Sequence, residues 1–145
     1  MTQAVIVSAV RTAIGTSRKG TLSETTGEEL ATFILDEAIK AAGIDGNDVD
    51  DVIFGEVMYG GGDLARYAAV ANGLQDVSGQ AVQRHCASSL TALGDAAGTI
   101  ISGMEDVIVA GGVQAGSTGP ISSCSTKEAA TSRPSRIMAI TWDSG

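Results

Sequence analysis

Aromatic side chains are nearly absent: Trp142, Tyr59, Tyr67, Phe33 and Phe54 are all that 145 residues contain. The core therefore has to be built from Val, Ile, Leu and Ala, which suits helices packed closely on a sheet. Basic residues are also few, 9 against 17 acidic ones, giving a net charge of −8. Nucleic acids and anionic membranes both select clustered Lys and Arg, so neither is an expected partner. An anionic small ligand needs only a local basic patch and stays open. No stretch comes near the ~18 consecutive apolar residues of a membrane helix. The opening MTQAVIVSAVRT has no basic leader, apolar run and cleavage site. A cytoplasmic protein is expected. Cysteine is limited to Cys86 and Cys124. Their spacing fits no metal motif, and a pair so far apart without a leader is no disulfide framework. The remainder, 43% apolar with moderate charge, suffices for one packed domain and leaves little room for two.

Along the chain, Ala4 to Val10 reads as a buried strand and Arg11 to Thr21 as a loop. Thr26-Gly27-Glu28-Glu29 fits a capping box, followed by Leu30, Phe33, Ile34, Ala38 and Ala41 at helical spacing and by Gly43 as a stop. Val52 to Met58 is a second strand and Leu64 to Asn72 a short helix closed by Gly73. Gln80 to Arg84 is a third strand, Ser88 to Ser102 a helix ended by Gly103, and Asp106 to Ala110 a fourth strand stopped by Gly111-Gly112. The order β-α-β-α-β-α-β predicts an α/β fold with a mainly parallel sheet flanked by helices. This domain spans 1–113. Residues 114–145, rich in Ser and Thr over 114–136, are read as the start of a loop or excursion, and the stop at Gly145 as truncation.

In open parallel sheets, ligands and nucleophiles gather at the carboxyl ends of the strands. Cys86 falls there, ending the third strand segment and opening the next helix. Free N–H groups and the macrodipole at a helix start favour an anionic sulfur, and the same groups can hold an oxyanion. Position alone leaves open a small buried core cysteine, a common situation for this residue type.

Four segments decide the matter together. They are Ala4–Gly15 (AVIVSAVRTAIG), Gly55-Glu56-Val57-Met58 with Ala65-Arg66, Val82–Leu90 (VQRHCASSL), and Val109-Ala110-Gly111-Gly112 with Ser117 and Pro120. In this order they resemble the thiolase family. The resemblance implies the N-terminal one of two similar α/β halves, and an acyl-CoA acyltransferase of fatty acid metabolism. Cys86 would be acylated by an acyl-CoA, its own N–H helping to form an oxyanion hole, and the acyl group would pass to CoA or to a second acyl-CoA. The coenzyme A thioester would be substrate, with no metal or organic cofactor. The partners implied are a second copy, as homodimer or homotetramer, or a separate chain carrying the C-terminal half. The activating His, a second Cys and much of the CoA-binding region would lie beyond residue 145, so this chain alone is expected to be inactive.

The chain departs from the family pattern at Ser89 (usually Gly), Gln83 (commonly Asn), Ala13 (Pro) and Gln114 (Glu). Cys86-Ala87-Ser88-Ser89-Leu90 also resembles the elbow of β-ketoacyl synthases. A decarboxylating ketosynthase and a non-catalytic thiolase-like subunit are therefore the alternatives. His85, the one histidine, is not read as the base, because successive side chains at a strand end diverge. Cys124 is read as a surface thiol and Arg11 as a turn anchor. Arg133 and Arg136 are read as solvated loop charges, phosphate contact being the other option, and Gly94 with Gly98 as a site of close packing.

Overall fold

The computed structural model describes residues 3–59 and 62–119, and the backbone course of a strand over 136–142. Five strands form one sheet: β1 (Ala4–Arg11), β2 (Asp51–Gly55), β3 (Ser78–Val82), β4 (Val107–Gly112) and β5 (Arg136–Trp142). The strand order is β1-β5-β4-β2-β3. β2 runs parallel to β3 and β4, and β5 is antiparallel to both β4 and β1. Three helices connect them: α1 (Gly27–Ala42), α2 (Leu64–Ala71) and α3 (Ser88–Ser102). The α/β class and the helix-flanked, mainly parallel sheet agree with the sequence expectation.

The two faces of the sheet follow from the alternation of its strands. Val52 and Phe54 of β2, with Val109 of β4, pack against Ala31, Ile34, Leu35 and Ala38 of α1 and against Ala65, Ala68 and Ala69 of α2. Ile53, Ile108 and Ala110 point the other way and meet Ala92, Ala96 and Ile100 of α3. Side chains on a strand alternate between faces, so a continuously apolar strand serves two helix layers at once. Each fully buried Ile, Leu or Phe contributes roughly 1.5–3 kcal/mol of transfer free energy. The alanines let the helices come close.

α1 begins as its sequence demands. Thr26 Oγ1 accepts the Glu29 N–H at 3.1 Å, while Glu29 Oε2 accepts the Thr26 N–H at 2.9 Å. The helix ends on Gly43 in the left-handed region, φ 69°.

Three expectations need correction. Arg136–Trp142, assigned from sequence to the excursion over 114–145, form β5, seated inside the sheet between β1 and β4. The expected excursion carries the aperiodic stretch 114–136 on to the end of the chain and does not separate from it the largely apolar run Ile137–Trp142. Gly111 and Gly112 do not stop β4; they pair with Phe54 and Gly55 inside the ladder. β2 ends at Gly55 instead of Met58, because the next side chain, Glu56, turns to cap α2.

Candidate active site

The carboxyl ends of β2 and β4 present almost bare backbone. Gly55 pairs with Gly112 across the ladder and with Val82 on its other side. A Cβ on Gly55 would stand 2.5 Å from the Ser89 nitrogen and 2.7 Å from Ser88 Cβ. The first turn of α3 thus rests directly on two strand ends, and the turn preceding it is held at the lip of the sheet.

That turn, Gln83 to Ala87, carries Cys86. β3 stops at Val82 and α3 opens at Ser88, so Cys86 lies in a turn of its own, not at the end of the strand. Ala87 is the N-cap, with no side-chain cap bond. Cys86 immediately precedes it, is a free thiol and is exposed. The buried core cysteine is thereby set aside. His85 occupies the left-handed region, φ 49°. Its N–H donates to Gln83 Oε1 at 2.9 Å. The buried Ser88 hydroxyl accepts the Arg84 N–H at 2.8 Å and donates to the His85 carbonyl at 2.7 Å. The Ser88 N–H also reaches that carbonyl, at 3.1 Å. His85 and Cys86 are exposed neighbours, and among the described residues no hydrogen bond joins the imidazole to the sulfur. The divergence expected of a strand end does not apply in this left-handed turn.

Other side chains near this edge have structural work. Glu56 is buried, its Oε2 accepting the Leu64 N–H at 2.8 Å and capping α2, while its own N–H donates to the Val82 carbonyl at 3.1 Å. Tyr59 lies over Gly27, and its hydroxyl accepts the Ala115 N–H at 2.6 Å. Burial holds that phenol above its ordinary range. Ser117 accepts the Arg18 N–H at 2.8 Å, and Thr118 donates to the Thr25 carbonyl at 2.9 Å, so the segment after β4 is tied to the loop before α1.

Of the residues singled out from sequence, Arg66 holds the approach to β3 through the Val77 and Gln75 carbonyls. Arg11 anchors its turn by a bond to the Thr12 carbonyl at 3.3 Å. Gly94 and Gly98 are exposed, and a Cβ on either would meet nothing within 4 Å, so the close packing expected of them is absent within this chain. Pro120, Cys124 and Arg133, and the side chain of Arg136, lie outside the described residues. No group of three or more His, Cys, Asp or Glu among the described residues is arranged to hold a metal ion, and none of their helices is long and apolar enough to cross a membrane.

Sequence reasoning gave no role to Ser88 or Tyr59 and took Gln83 only as a departure from the family pattern. Ser88 was legible in part, since a hydroxyl at the first position of a helix often bonds back to the preceding turn. Tyr59 gave no local signal, its partner being 56 residues away.

Comparison with known proteins agrees with the fold. A family model described as thiolase, N-terminal domain, matches residues 4–140. The chain is 42% identical over 123 residues to an acetyl-CoA acetyltransferase of Escherichia coli, covering 83% of this chain and 31% of that one. It is 43% identical over 130 residues to a steroid 3-ketoacyl-CoA thiolase of Mycobacterium tuberculosis, covering 87% and 32%. The crystal structure of the Bacillus anthracis acetyl-CoA acetyltransferase superposes with a TM-score of 0.79 at 42% identity, over 84% of this chain and 32% of that chain. The chain therefore spans under a third of the length of these relatives.

Proposed function

This chain belongs to the thiolase family, by its N-terminal domain, and from that we propose that it is the nucleophile-bearing part of an acyl-CoA acyltransferase. The observation that carries the reading is an exposed Cys86 at the threshold of α3, on the carboxyl edge of the parallel strands. In the first step the Cys86 thiolate attacks the thioester carbonyl of an acyl-CoA. The carbonyl π pair moves to oxygen, and the collapsing intermediate expels the CoA thiolate, which takes up a proton. One thioester replaces another, so little bond energy changes. Amide N–H groups at the start of a helix, lacking intrahelical acceptors, are suited to the oxyanion. In the second step either the CoA thiolate attacks the acyl-Cys86 carbonyl, or a second acyl-CoA gives an α-proton to a base and its α-carbon attacks that carbonyl; in both cases the C–S bond to Cys86 breaks and its thiolate leaves.

We assign the proton-accepting group to a region outside the described residues, among which no hydrogen bond joins an imidazole to the sulfur. The reaction calls for no metal or organic cofactor, coenzyme A being substrate and product. A C-terminal half, continuous with this one or on a separate chain, completes the enzyme, which pairs with a second copy as a homodimer or homotetramer. The ketosynthase-like and non-catalytic alternatives gain nothing specific from the surroundings of Cys86.

The experiment is direct. Full-length protein is incubated with acetyl-CoA, digested under acidic conditions and analysed by mass spectrometry. One acetyl group on the peptide bearing Cys86, and loss of acyl transfer in Cys86→Ser, are expected. An unmodified Cys86 peptide with undiminished turnover in Cys86→Ser overturns the proposal.

A further inference from the structure

We infer that Ser88 is a positioning residue for Cys86, acting through the backbone of His85; this rests on the reading of Cys86 as acyl acceptor. The argument starts from conformation. His85 has φ 49°, in a region that a non-glycine residue keeps only when its surroundings hold it there. Three bonds do so, one before the residue and two on its carbonyl, where the Ser88 N–H at 3.1 Å backs the Ser88 hydroxyl. Gln83 Oε1 receives the His85 N–H at 2.9 Å, which fixes the peptide plane before the residue. The Ser88 hydroxyl donates to the His85 carbonyl at 2.7 Å, which fixes the plane after it. That second plane contains the Cys86 N–H. In a trans peptide, carbonyl and N–H point to opposite edges, so drawing the His85 oxygen onto Ser88 turns the Cys86 N–H away from the helix.

Ser88 is itself immobile. It is 3% exposed, and its oxygen also receives the Arg84 N–H at 2.8 Å. Its Cβ stands at the position where Gly55 leaves room, 2.7 Å from the Cβ that any other residue there would carry. The chain of support therefore runs from the sheet to Gly55, from Gly55 to Ser88, from Ser88 to the His85 carbonyl, and from that carbonyl to the amide and sulfur of Cys86.

The test uses the full-length protein, with folding checked by circular dichroism. Ser88→Ala removes both hydroxyl bonds. Loss of one aligned donor or a small misplacement of the nucleophile costs on the order of tenfold to a hundredfold. We expect kcat for acyl transfer to fall by that amount, with KM for acyl-CoA within about twofold, and alkylation of Cys86 by iodoacetamide to slow. In Ser88→Ala/His85→Gly most of the lost rate returns, because glycine adopts the left-handed region without being held. A merely structural loss has no reason to be repaired by that second change. Gln83→Ala, at an exposed position where folding is not at risk, slows transfer roughly two- to threefold, as loss of one solvent-exposed bond should.

A folded Ser88→Ala protein with unchanged kcat overturns the inference. So does a double variant no faster than Ser88→Ala. Where Ser88→Ala does not fold, Gln83→Ala decides, and an unchanged kcat there overturns it. Failure of the underlying reading is seen separately, as acyl transfer retained in Cys86→Ser, whereas alkylation reports on the thiol independently of turnover.

Discussion

The Ser89 hydroxyl occupies the space in which a side chain at position 112 would stand: a Cβ on Gly112 would overlap Ser89 Oγ and lie 2.9 Å from the Gly55 carbonyl oxygen. The strand end beneath Ser89 is glycine. Gly112→Ala is expected to destabilise by about 1–3 kcal/mol, the usual cost of overpacking a tight contact. Ser89→Gly in the same protein should recover a large part of that loss, because the overlapping oxygen is gone. Urea denaturation of the two single variants and the double variant measures the coupling. Additive losses would contradict the contact.

Thr26→Ala tests the start of α1. It removes one half of a reciprocal pair, leaving the Glu29 N–H without the Thr26 hydroxyl. A loss of about 1 kcal/mol is expected, the ordinary value for an N-cap of this type. Thr26→Ser should recover most of it. Thermal or urea melts read both.

Asp51 is buried at the amino end of β2, where its Oδ1 accepts the Val52 N–H at 2.8 Å and the Ser78 hydroxyl at 2.9 Å. Burial raises its pKa above 3.8, against the pull of these two bonds. Glu105 nearby is raised as well, first by burial and then by the charges of Asp51 and Asp50. The native state therefore holds protons that the unfolded chain has released. Stability falls as pH rises from the unfolded values near 3.8 and 4.5 through the raised native ones. Asp51→Asn keeps the Oδ1 acceptor and removes the titration. It should be at least as stable as the parent at neutral pH and show a shallower decline across that window. Denaturation midpoints at several pH values check this, and a steeper decline in the variant would speak against it.

Cys86 is exposed, and iodoacetamide is expected to modify it ahead of Cys124 in the assembled enzyme. Peptide mass spectrometry over time gives the order, and equal slow labelling would count against a reactive Cys86. The 145-residue chain purified alone is expected to show no thiolysis, because no proton-transfer partner for the sulfur is found among its described residues. Robust thiolysis by that chain would refute the assignment of the base to another region.

Local order was readable where a local interaction creates it. The Thr26–Glu29 box, the Gly43 and Gly103 stops and the Ser88–Ser102 span of α3 each depend on residues within a few positions of one another. The strand Ala4–Arg11 was readable as a strand because its apolar run is long, but its expected burial does not hold: Ile6 and Val7 are exposed. β5 was not, since its short apolar run follows directly on a Ser- and Thr-rich stretch without a period and carries no turn or helix signal to set it apart. The run of β4 through Gly111 and Gly112 was hidden for another reason: glycine ordinarily weakens a strand, and here it is required by the helix lying above it.

By itself the sequence determined the α/β class, the helices with the capping box of α1 and the glycine stops, the family, and the one cysteine at a strand-to-helix junction. Those features are written in periodicity, capping chemistry and ordered motifs, all of which act over short distances. Tertiary structure alone decided the strand order, the seat of α3 on Gly55 and Gly112, the left-handed His85, and the Ser88 bonds that fix the turn around Cys86. The first two depend on segments tens of residues apart meeting at hydrogen-bond or van der Waals distance; the last two rest on short-range bonds from Gln83 and Ser88 that hold a turn whose torsion no sequence pattern announces.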